Sequence, residues 1–119
     1  TNMMTSSSTA MRRLIRDLKT MEEGTPEGIN ATPLDDKLME WEAIILGPEG
    51  SIWEGGVFKL SMSYTEDYPT KPPTVKFITK IFHPNVYNDG SICIDILNQA
   101  WSPIYDIKAI LRSLQSLLC

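Results

Sequence analysis

Apolar residues recur along this chain with different spacings, and each spacing predicts an element. Met11, Leu14, Leu18 and Met21 fall at i, i+3, i+7 and i+10, one face of an amphipathic helix. Ser8 or Thr9 stands where such a helix is capped. Gly24 stops it and Pro26 prevents its resumption. Residues 1–8, polar and without periodicity, read as a flexible tail. From 38 to 47 the period becomes two: Met39, Trp41, Ala43 and Ile45 alternate with Leu38, Glu40, Glu42, Ile44 and Leu46, a strand pattern. Gly47-Pro48-Glu49-Gly50 makes a turn, and 57–64 repeats the alternation with Phe58, Leu60, Met62 and Tyr64 on one face. The prolines of 68–73 cannot join a regular ladder. A short strand follows at 74–79, and a weaker one is expected at 29–33. Short strands joined by tight turns predict an α+β fold: a four-stranded antiparallel meander with one face packed on a helix.

From 84 to 103 the periodicity fades, although Ile92, Ile94, Ile96 and Leu97 lie within it. Ordered stretches this long without regular structure are usually functional. Asp106 then caps a second helix whose buried stripe is Ile107, Ile110, Leu111, Leu114, Leu117 and Leu118. That helix reaches Cys119 with no glycine or proline to close it. Residues 9–119 therefore read as one domain, C-terminally incomplete.

Composition narrows the function classes. With 119 residues, 42% hydrophobic and 22% charged, the chain supports one ordinary core. A formal charge of −4 gives no sign of nucleic-acid binding. Arg12, Arg13, Arg16 and Lys19 cluster on the first helix, where a solvated face is the default. Two cysteines, Cys93 and Cys119, make no disulfide framework. The first ten residues lack the pattern of a signal peptide, and no apolar run reaches the roughly 18 residues of a membrane span. The cell interior, with no membrane contact, is the expected home. One histidine and two cysteines 26 positions apart do not form a zinc site. Gly47-Pro48-Glu49-Gly50 lacks the lysine and spacing of a phosphate-binding loop.

Residues 81–105 hold the chain's only histidine, His83, along with Cys93. His83-Pro84-Asn85 precedes the cysteine, with Asn85 eight positions before it. Gly90-Ser91-Ile92-Cys93-Ile94-Asp95-Ile96-Leu97 surrounds it, and Trp101-Ser102-Pro103 follows, again at eight. This segment closely resembles the active site of ubiquitin-conjugating enzymes. The resemblance extends through Gly47-Pro48-Glu49-Gly50, Gly55-Gly56-Val57-Phe58 and 68–73, in the family's order, and covers roughly Met11 to Cys119.

The resemblance implies that Cys93 accepts ubiquitin from an activating enzyme as a thioester. A substrate lysine then receives it with the help of a ubiquitin ligase, of RING type. A thiol exchanges acyl groups readily and its thioester stays reactive toward amines. Taken alone, Cys93 would more often be a small buried hydrophobe. Asn85 is implied to donate to the carbonyl oxygen as charge develops there, or to order the loop that does so; an Asx turn is the plainer reading. His83, followed by Pro84, is implied to be structural, bonding backbone and fixing the loop. Asp95 suits either a shaping contact or a solvated carboxylate, and Trp101 reads as a wall of the site. By resemblance Arg12, Arg13, Arg16, Phe77, Pro103 and Ile104 form the surface shared by activating enzyme and ligase, although the strand face of Phe77 also suits the core. No cofactor is required, because ATP is consumed by the activating enzyme; ATP binding attaches to the family only as a label.

Two rival classes remain open. A cysteine protease would need a base and an orienting group around the thiol, and a catalytically inactive ubiquitin-binding relative would typically lack the cysteine. A conjugating enzyme for a ubiquitin-like modifier is the nearer alternative. Met11-Arg12-Arg13-Leu14-Ile15-Arg16-Asp17 and Trp101-Ser102-Pro103-Ile104-Tyr105-Asp106-Ile107 look most like the subgroup tied to DNA repair, histone ubiquitination and N-degron turnover, with cytoplasmic and nuclear placement. Ile52-Trp53 and Ala100 depart from that pattern. The family's residue that guides the incoming lysine, and its last two helices, would lie beyond Cys119, so this chain is expected to transfer less well than it loads.

Overall fold

The computed structural model describes residues 8–119; the rest of the polar tail expected at 1–8 lies outside the described residues. Helix α1 (Thr9–Glu23) starts on Ser8, whose Oγ accepts from the Met11 N–H at 3.1 Å, satisfying one of the first-turn donors. It ends at Gly24, whose N–H returns to the Met21 carbonyl. Its buried residues are Ala10, Leu14, Asp17 and Met21, spaced four, three and four as a core-facing stripe should be. Met11 and Leu18 flank that stripe half-buried. The true stripe thus uses the neighbouring positions, and one of them is a carboxylate.

Strands β1 (Ile29–Leu34), β2 (Lys37–Leu46), β3 (Val57–Ser63) and β4 (Thr74–Phe77) form one antiparallel sheet in the order β1-β2-β3-β4. The register carries an inward row across all four strands, Ala31 opposite Ala43, Ala43 opposite Leu60 and Leu60 opposite Phe77. All four side chains are buried. β4 ends at Phe77, short of Thr79, because the N–H groups of Ile78 and Thr79 both turn to the Lys59 carbonyl. In β2 the alternation slips at its start: Leu38, on the outward parity, is buried. Its carbonyl accepts the Trp41 indole N–H at 2.8 Å.

Helix α2 (Ile107–Leu117) is capped by Asp106, whose Oδ1 accepts from the Ala109 N–H at 2.9 Å. Ile107, Ile110, Leu111, Leu114 and Leu118 are buried, and Leu117 is half-buried. Each fully buried aliphatic side chain contributes about 1.5–3 kcal/mol. This stripe fixes α2 against β1, β2 and α1. Between β4 and α2 the chain is irregular apart from isolated bridges and one turn of 3-10 helix, Asp95–Leu97.

Candidate active site

The irregular stretch is held by its own backbone. Residues 85–93 fold back on themselves around Asn88-Asp89-Gly90. The Tyr87 N–H donates to the Ser91 carbonyl and the Gly90 N–H to the Tyr87 carbonyl, each at 2.9 Å. The Asp89 carboxylate accepts from the Ser91 N–H at 2.9 Å. That bond, with Lys76 nearby, holds its pKa below the usual carboxylate range. Gly90 has φ +89, and a Cβ there would overlap the Phe77 carbonyl, so only glycine fits. Its carbonyl accepts the Phe77 N–H at 2.9 Å, which clamps the turn to the end of β4.

Across the open end of this turn the Cys93 N–H donates to the Asn85 carbonyl at 2.7 Å. Asn85 and Cys93 are therefore neighbours on opposite arms, although eight residues apart. Cys93 is a free, exposed thiol. Asn85 is exposed as well, and among the described residues its carboxamide bonds to nothing, because its backbone makes both contacts. The local fold leaves the two reactive groups free on an immobilised backbone. An accessible sulfur nucleophile whose backbone is bonded to that of a residue with an uncommitted amide is suited to acyl transfer.

His83 anchors the other side. Its Nδ1 accepts the Asn85 N–H at 3.0 Å, so Nε2 carries the proton and donates to the Leu117 carbonyl at 2.9 Å. Both ring nitrogens are occupied, which removes the imidazole from duty as a base. Trp53 lies against the ring at 5.7 Å between centroids and meets Phe58 edge-on. The imidazole thus ties the cysteine loop to an orphan carbonyl at the end of α2, with Pro84 exposed beside it. Trp53, one of the departures noted in the sequence, was not foreseen in this role.

The remaining candidates separate. Asp95 is exposed at the start of the 3-10 turn, and its carbonyl accepts from Asn98 and Ala100. Trp101 is half-buried, with its indole N–H on the Pro69 carbonyl at 2.9 Å. Arg12, Arg16, Pro103 and Ile104 are exposed, Ile104 by 81%. Two residues expected on the partner surface have largely buried side chains. Phe77 is 5% exposed and packs edge-on against Phe58, since its parity places it in the inward row. The Arg13 side chain is 10% exposed; its guanidinium donates to the carbonyls of Pro103 at 2.6 Å and Tyr105 at 2.8 Å.

The sequence reading also missed Asp17, which is 1% exposed. It accepts from the Tyr68 hydroxyl at 2.6 Å and from Arg13 Nε at 3.3 Å. Burial raises its pKa above the ordinary carboxylate value, outweighing the opposing pull of Tyr68 and Arg13. Burial, reinforced by this carboxylate, also pushes the Tyr68 phenol far up. The available signal was positional: Asp17 stands three after Leu14 and four before Met21, within the apolar stripe.

Residues 13–119 match the family described as ubiquitin-conjugating enzyme. Over 110 residues the chain is 54% identical to ubiquitin-conjugating enzyme E2 3 of Arabidopsis thaliana, covering 92% of this chain and 73% of that protein. Over 107 residues it is 60% identical to ubiquitin-conjugating enzyme E2 1 of Caenorhabditis elegans, covering 90% of this chain and 56% of that one. The chain thus spans little more than half the length of the second relative. The structure of human ubiquitin-conjugating enzyme E2 G1 superposes with a TM-score of 0.85 at 42% identity, over 88% of this chain and 90% of that chain. The family match runs from Arg13 within α1 through the sheet and the cysteine loop to Cys119, and the chain belongs to the ubiquitin-conjugating enzyme family.

Proposed function

We propose that Cys93 accepts ubiquitin from the activating enzyme as a thioester, and that the chain passes it to a substrate lysine with a RING-type ligase. The observation that carries this reading is the free, exposed Cys93 thiol, fixed through its own N–H to the loop bearing Asn85. In the loading step the Cys93 sulfur displaces the activating enzyme's thiol from the ubiquitin carbonyl. In the transfer step a lysine amine attacks the new thioester, Cys93 leaves as thiolate, and the amine loses its proton. His83 takes no part as base, because both its nitrogens are engaged. Asn85 donates to the carbonyl oxygen during the attack. Arg12, Arg16, Pro103 and Ile104 supply the exposed partner surface, a basic and apolar patch suited to a transient interface. The N-terminal Arg-Arg-Leu-Ile-Arg run of 12–16 supports a role in the DNA-repair, histone and N-degron subgroup, acting in cytoplasm and nucleus without a cofactor of its own.

A pulse–chase experiment tests this. The chain is charged with activating enzyme, ATP and ubiquitin, charging is quenched, and free lysine is added with or without a RING ligase. A thiol-sensitive adduct that decays on lysine, faster with ligase, is the expected result. An adduct that lysine cannot discharge even with ligase would keep the loading step and overturn the transfer step, whereas the absence of any adduct would favour the ubiquitin-binding relative. Charging only with a ubiquitin-like protein would reassign the modifier.

A further inference from the structure

Asp17 is the buried charged side chain among the described residues, and nothing in the chemistry at Cys93 uses it. An aliphatic residue at that position would complete the α1 stripe without desolvating a charge, and a buried ion pair is weak support for stability. What Asp17 does have is geometry. One oxygen holds the Tyr68 hydroxyl at 2.6 Å and the other Arg13 Nε at 3.3 Å. The Arg13 guanidinium also lies over the Tyr68 ring, 5.8 Å from its centroid. Its two terminal nitrogens grip the carbonyls of Pro103 and Tyr105, a planar fork that only a correctly oriented guanidinium can present. Tyr68 and Tyr105 meet the Trp101 indole at 6.2 and 5.8 Å between ring centroids, and the indole N–H is fixed to Pro69. Upstream, the Trp101 N–H bonds to the Asn98 carbonyl and the Asn98 N–H to Asp95, two residues past Cys93. Residues 101–105 have no ladder or helix of their own, so these side-chain bonds set where they lie.

We infer that Asp17 is a positioning residue: by orienting Arg13 and Tyr68 it fixes the 101–105 segment, and so joins the exposed α1 and Ile104 surface to the segment that follows Cys93. The functional consequence rests on the thioester reading given above; the positional one does not.

The test compares wild type with Asp17→Asn and Tyr68→Phe, using Trp101→Phe to assign the indole signal in proton–nitrogen NMR. Both variants are expected to shift the Trp101 indole resonance. The Trp53 indole, packed on Phe58 and His83, should stay unmoved as the internal control for folding. Charging, which needs the activating enzyme to dock on the 103–104 surface, and discharge onto free lysine are both expected to fall, discharge by about tenfold, because small misplacements far from the chemistry suffice for such losses. Should Asp17→Asn fail to fold, Tyr68→Phe, which deletes only the hydroxyl, gives the same reading. A folded variant with the Trp101 resonance and lysine discharge both at wild-type values would overturn the inference. A wild-type chain that never charges would sink the role of Cys93 and leave the indole comparison to decide this one.

Discussion

Cys93 and Asn85 illustrate how exposed side chains are made precise. Their own backbone groups bond to each other and to His83, so neither side chain is needed to hold the loop. Asn85→Gln should therefore leave the loop and the charging rate intact. It should slow transfer to lysine by 10²–10³-fold, the usual loss when one oxyanion donor is misplaced. Single-turnover rates for the two steps would show it, and an equal loss in both would contradict the role. Phe77 makes the opposite point, because its ring is core. Phe77→Ala should cost about 3–5 kcal/mol in urea unfolding, whereas a folded, equally stable variant impaired only in ligase binding would restore it to the surface. Alternation alone could not decide between these places for Phe77. Its inward orientation follows from pairing with Leu60, a long-range register that 74–79 does not contain.

At the scale of elements, the period-two segments and the two apolar stripes were legible because strand and helix each bury one face. Even so, the exact face of α1 was not, since Met11 and Leu18 are more apolar than Ala10 and Asp17, which are buried in their stead. The irregular stretch yielded its turn to a simple signal, Asp89-Gly90, while its anchors came from afar: Phe77 in β4, Leu117 in α2 and Trp53 in the loop between β2 and β3. Gly90→Ala tests the clamp. With φ +89 and no room beside the Phe77 carbonyl, it should destabilise the domain by more than about 1 kcal/mol and slow charging by disordering the arm that carries Cys93. Wild-type stability and charging would show that the clamp is dispensable.

For the whole molecule, stability against pH exposes the buried carboxylate. The folded-state pKa of Asp17 is raised, so its contribution is fully present below the ordinary carboxylate pKa and is lost as pH rises through the folded value. Relative to Asp17→Asn, wild type should gain stability as pH falls from 7 toward 4. The lowered pKa of Asp89 acts in the opposite sense, but it is common to both chains and cancels in the difference. A pH-independent difference in urea midpoints would contradict a raised Asp17. Local sequence offered only the i,i+4 spacing of Arg13 and Asp17 on α1; Tyr68 and the carbonyls of 103 and 105 reach that pair only when the chain is packed. The central claim is tested most directly by mapping the ubiquitin adduct after charging with activating enzyme and ATP, comparing wild type, Cys93→Ala, Cys93→Lys and Cys119→Ser. Wild type and Cys119→Ser are expected to carry a reductant-sensitive adduct, Cys93→Ala none, and Cys93→Lys a reductant-resistant one. An adduct that survives in Cys93→Ala and disappears in Cys119→Ser would contradict that claim.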